Sequence, residues 1–157
     1  MTKPRIWALV ADGVRARVLR GLEDGAPLPS PPTELISRSR SRRLRDILAG
    51  NTDPGHVLSQ AERGIASEGP DLVRQDMRDF AHEISDRLDS HRRAGDFERL
   101  AIFATPGMLR LLRDEMSRAL RGTVFLERRG NLVQYPEAAL RDLVRTEIAR
   151  LPRVAED

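Results

Sequence analysis

The chain has 157 residues, a length that suits one domain able to bury a sizeable apolar core. It contains no cysteine, which excludes disulfides, thiolate nucleophiles, zinc-thiolate sites and iron-sulfur clusters. The net charge is only +3, and Lys3 is the sole lysine, so the basic character is an arginine effect. It is concentrated at one end: residues 1–45 hold ten Lys/Arg against four Asp/Glu, whereas residues 46–157 hold seventeen against twenty. Such asymmetry points to an anionic partner, although arginine preference also follows genome composition.

The first element is a continuously apolar run, Ile6 to Ala11, long enough for a central strand but far too short for a membrane span or a signal-peptide core, so a cytoplasmic protein is expected. Asp12-Gly13 follows it as a two-residue hairpin signal, with Asp12 expected as the first central residue of a type I′ turn. Val14, Ala16 and Val18 then alternate with Arg15, Arg17 and Arg20, predicting a second strand with one face in the core and one in water. Gly21 to Pro32 is rich in turn residues, and Thr33 to Ser37 is a candidate edge strand.

From Arg38 the chain reads Arg-Ser-Arg-Ser-Arg-Arg-Leu-Arg, and from Gly50 to Pro70 it carries Gly, Asn, Asp, Pro and Ser with no sustained period, so that 38–70 form one long connection. A connection of that length is expected to be flexible or functional. Asp71 suits an N-cap for a long amphipathic helix on Val73, Met77, Phe80, Ala81, Ile84 and Leu88, with Gly95 as its stop. Leu100 to Ala104 is a second fully apolar strand. It passes at Thr105-Pro106, an N-cap residue and a favoured first-turn proline, into a helix expected from Gly107 to about Arg121. Thr123 to Leu126 reads as a strand and Pro136 to Leu151 as a last helix burying Leu140, Leu143, Val144, Ile148 and Leu151, with residues 152–157 a frayed tail.

A hairpin and edge strand followed by helix, strand, helix, strand and helix predicts a single α/β domain, residues 1–151, with a mixed five-stranded sheet and helices on its faces. The crossover rule sets the Leu100 strand parallel to the first strand and gives the order 3-2-1-4-5, an RNase H-like layout.

Residues 6–19, Ile-Trp-Ala-Leu-Val-Ala-Asp-Gly-Val-Arg-Ala-Arg-Val-Leu, resemble the opening signature of the bacterial host attachment protein family. The similarity continues through Phe80-Ala81 and Leu88, the junction Ala104-Thr105-Pro106-Gly107-Met108-Leu109 and Leu112-Arg113, and the closing strand and helix, so it covers roughly the whole chain. The resemblance implies a part in attachment to host cells, and a fold similar to the middle domain of peptide release factors and Pelota, which bind ribosomes. Relatives tend to carry a Gly- and His-bearing loop before the long helix, where this chain has Ala61 to Ser67. The release-factor Gly-Gly-Gln is absent, with only Gln60 and an isolated Gly64 there, so the scaffold carries over and the hydrolysis does not.

The residues themselves present no complete catalytic set. An RNase H-type nuclease needs several carboxylates at the strand tips to hold two metal ions; Asp12 is at one tip, but the Leu100 strand ends in Thr105 and Pro106. His82 and Asp86, four apart, share a helix face without a third ligand at matching spacing, and His91 lies too far round. No Gly-x-Ser-x-Gly elbow, dinucleotide fingerprint or Walker motif occurs. No cofactor and no metal are expected. Asp12, Gly13, Thr105 and Gly107 form a candidate small-anion site where a helix begins beside the first strand's end, and ordinary capping explains the same residues. The densest candidate site is Arg38, Arg40, Arg42, Arg43 and Arg45, read as contacts to RNA phosphates or as a solvated loop guarding a sheet edge. The expectation is a non-catalytic binding protein for structured RNA or the ribosome; the alternatives are a protein-interaction factor in attachment and a metal-dependent nuclease.

Overall fold

The computed structural model describes residues 3–26, 33–36 and 70–151. The expected connection at 38–70, apart from Pro70, and the tail at 152–157 lie outside them. Among the described residues are strands β1 (Ile6–Ala11), β2 (Arg15–Leu19), β3 (Thr33–Ile36), β4 (Arg99–Ala104) and β5 (Val124–Arg129). The helices are α1 (Pro70–Arg93), α2 (Pro106–Glu115), the single turn α3 (Arg118–Arg121) and α4 (Glu137–Ala149).

The chain folds as one α/β domain around a mixed open sheet. Its body is β2-β1-β4-β5, and the four-residue β3 pairs antiparallel along β2, for an order of β3-β2-β1-β4-β5. The two apolar runs are neighbours and parallel, in register from Ile6↔Arg99 to Ala11↔Ala104. That pairing follows from composition: strands buried on both faces need helices above and below, and a crossover helix supplies parallel neighbours. Trp7, Leu9 and Ala11 join Phe80, Ile84, Leu88, Met108, Leu112 and Leu120 in one core layer. Ala8 and Val10 join Phe103, Val133, Leu140 and Val144 in the other. The first three helices therefore cover one face and α4 the other.

Several local expectations are corrected. Neither Gly13 nor Val14 has a positive φ, so the hairpin turn is not type I′. Asp12 Oδ1 accepts from Val14 N (2.9 Å) and Arg15 N (2.8 Å), and this side-chain bridge closes the turn without left-handed residues. The β2 face expected in water is largely buried: Arg17 is 7% exposed, because the segment leading into α4 lies across it.

Asp71 lies inside the first turn of α1, which begins at Pro70. Gly95 (φ 77°) stops α1 as expected, with Asp96 N donating to His91 O (2.9 Å) and Gly95 N to Arg92 O (3.0 Å), the paired bonds of a Schellman ending. The helix expected from Gly107 to Arg121 breaks at Met116, whose ψ of 139° is extended. Ser117 Oγ then caps α3 by accepting from Leu120 N (3.1 Å) and donates to Asp89 Oδ1 (3.1 Å) on α1. Thr105 precedes α2 but makes no side-chain cap. In α4, Leu143 is 39% exposed and Arg141 is buried instead.

Candidate functional site

The carboxyl rim of the sheet is where an open α/β fold gathers ligand-binding residues. Thr105 N donates to Ala11 O (3.2 Å), so the tips of β1 and β4 are tied together and Asp12 and Thr105 stand on adjacent strands. Asp12 is 1% exposed and committed to its own turn, and the Thr105 amide is committed to β1. Of the four candidate anion-site residues, Gly107 alone is solvent-exposed. A Cβ there would meet Met77 Cε at 3.6 Å, ordinary contact, so nothing in the packing requires glycine. Asp12 Oδ1 accepts two backbone hydrogen bonds and the residue is buried, so this carboxylate serves its own turn.

His82 and Asp86 do come together, with Nε2 3.3 Å from Asp86 Oδ2. Its other nitrogen, Nδ1, lies 3.2 Å from Glu115 Oε2 at the end of α2, a neighbour that helical spacing could not reveal. The two ring nitrogens point in divergent directions, so the acids flank the imidazole and do not converge on one point. Among the described residues no group of three or more His, Cys, Asp or Glu is arranged to hold a metal ion. At the end of α1, His91 Nδ1 lies 2.7 Å from Asp96 Oδ2, and its ring packs 5.0 Å from Trp7 in a tilted contact. Asp86, Ser90, His91 and Asp96 border an open surface hollow there.

Arginine provides the most developed polar construction. Arg17 Nη1 donates to Val133 O (3.2 Å) and Tyr135 O (2.5 Å), while its Nε faces Glu34 at 3.6 Å, an ion-pair distance too long for a hydrogen bond. Arg141 Nη1 donates to Arg20 O (2.9 Å), and Arg145 Nη2 to Gly21 O (3.3 Å). Three guanidiniums thus staple α4 and its lead-in to β2 through main-chain carbonyls. Arg141 is 8% exposed and its Nη2 is buried without a hydrogen-bond partner among the described residues. An unpaired buried donor costs about 1–3 kcal/mol. Burial, and then the charge of Arg145, hold the Arg141 guanidinium below the usual arginine range, with Glu137 partly offsetting them. The arginines of β2 were visible as a pattern, but period two assigned them to solvent; Arg141 carried no signal in the sequence.

Other arginines are engaged on the surface. Arg113 donates to Glu127 Oε2 through both Nε and Nη2, tying α2 to β5, and this carboxylate raises the Arg113 pKa. Arg128 reaches Glu147 at 3.5 Å, tying β5 to α4. The expected RNA-contacting residues Arg38, Arg40, Arg42, Arg43 and Arg45 lie outside the described residues.

Fold and site together define a single α/β domain with no assembled catalytic carboxylate cluster among the described residues and with arginine as its principal polar building material. Residues 7–144 match the family described as protein required for attachment to host cells, and the chain belongs to that family. A search of curated proteins found no match.

Proposed function

We propose that this chain is a non-catalytic, cytoplasmic binding protein whose partner is structured RNA or the ribosome, with Arg38, Arg40, Arg42, Arg43 and Arg45 contacting phosphates. The observation that carries this reading is the segregation of positive charge into the first 45 residues, densest just after the edge strand at Thr33–Ile36. Serines between those arginines add hydrogen-bond donors suited to phosphate oxygens. The scaffold's similarity to release-factor middle domains is part of the same proposal. Aromatic residues are few, with one Trp, one Tyr and four Phe, and Trp7, Phe80, Phe97 and Phe103 are buried, so contact through the phosphate backbone is favoured over stacking on single-stranded bases.

Filter binding and ribosome co-sedimentation at two salt concentrations test the proposal. Charge reversal at Arg42 and Arg43 is expected to weaken binding uniformly across RNA sequences. Absence of binding by the intact protein at both salt concentrations overturns it.

The family description favours a second reading, a protein-interaction factor acting in attachment to host cells. Among the described residues no helix is long and apolar enough to cross a membrane. Cell fractionation separates the two: protein on the outer surface supports the attachment role and contradicts the ribosomal one.

A further inference from the structure

We propose that Arg141 and Arg145 form a binding site for a small oxyanion, a phosphate or a carboxylate, where the chain leaves β2 at Arg20-Gly21. The two guanidiniums are anchored to successive carbonyls, Arg141 Nη1 on Arg20 O (2.9 Å) and Arg145 Nη2 on Gly21 O (3.3 Å). That anchoring sets two positive charges beside each other one helical turn apart. Among the described residues no carboxylate lies within ion-pair distance of either; Glu137, one turn earlier on α4, acts on Arg141 through its charge. Side-chain stapling needs one nitrogen from each residue. It leaves unexplained why the 92%-buried Arg141 keeps Nη2 without a hydrogen-bond partner among the described residues.

An oxyanion answers both points. One oxygen accepts from Arg141 Nη2, another takes the N–H groups that Arg145 has left over, and the paired cations are neutralised. Arg145 is exposed, so the N–H groups it does not use on Gly21 are open to an anion from solvent. Because Gly21 has φ 66° and the neighbouring Leu22 amide is bound to Ile6 O (3.1 Å), the carbonyls that orient the pair are held by the hairpin itself. The proposal uses none of the arginines at Arg38 to Arg45 and does not depend on the RNA proposal.

The test compares thermal midpoints of the intact protein in inorganic phosphate, acetate and chloride at matched ionic strength, with isothermal titration of inorganic phosphate alongside. At an anion concentration about five times the dissociation constant, the midpoint is expected to rise by about 2–4 °C over chloride. A rise with phosphate alone, or with acetate as well, decides between the two oxyanion types. Arg145→Gln, an exposed change that leaves the core intact, should abolish the rise, and Arg141→Gln should do the same. The double variant Arg42→Glu, Arg43→Glu should retain it. An equal midpoint in all three anions overturns the site. So does a rise that survives Arg145→Gln, or one that disappears only in the Arg42/Arg43 variant.

Discussion

Asp12 stands where an acid at a strand tip would be expected to do chemistry, yet its carboxylate is turned back onto Val14 and Arg15 and is closed off from water. Removing it leaves two backbone donors without their acceptor. Asp12→Ala should therefore lower unfolding stability by about 1–3 kcal/mol, read by urea denaturation, while Asp12→Asn, which keeps an oxygen in place, should lose less. Asp89 is the second residue whose role is set by its neighbours. Its hydrogen bond from Arg92 is the main cause of a pKa held below the ordinary 3.8, with Ser117, Arg92 and Arg93 adding and burial opposing. Because the folded-state value is the lower one, Asp89 contributes stability above about pH 3.8, and that contribution is lost as pH falls through the folded value. The stability difference between wild type and Asp89→Asn should shrink as pH is lowered below 3.8, measured by denaturation at stepped pH; a constant difference would show that the carboxylate is not stabilised by its charge.

Elements end where local chemistry stops them. Gly95 takes a left-handed conformation (φ 77°) so that α1 can close on its own carbonyls and turn into β4. Space is not the constraint, since an added Cβ would come no nearer than 3.9 Å to Arg5 Nη2. Gly95→Ala should cost about 1 kcal/mol through backbone strain alone, seen as a fall in thermal midpoint with little change in m-value. The break between α2 and α3 has a comparable cause: Ser117 competes for the helix backbone and binds Asp89 as well, so one continuous helix gives way to two. Apolar spacing through Leu120 could not reveal this, since the buried residues Leu112, Met116 and Leu120 keep a helical interval across the break.

For the whole molecule, parallel pairing of β1 and β4 and the two-faced core follow from strands too apolar to expose either side. Charge also acts at this scale. Binding through five arginines at Arg38 to Arg45 should show a log-log salt slope of about −3 to −5, which neutral docking would not produce. The fold class, the hairpin, the parallel strands and most of the core were legible because hydrophobic periodicity is local and survives in any context. The candidate site was less legible. Arg17 and Arg141 are both polar residues where period and propensity expect water, and each is buried because a segment more than a hundred residues away supplies its carbonyl partner. Glu115 beside His82 and Glu127 beside Arg113 meet their partners across separate elements in the same way. Composition and periodicity by themselves determined which segments must be buried and hence how the sheet is layered. Which charged groups lie inside it, and what they hold, was decided only when distant main-chain oxygens arrived beside them, because a guanidinium is kept from water by partners that local sequence does not contain.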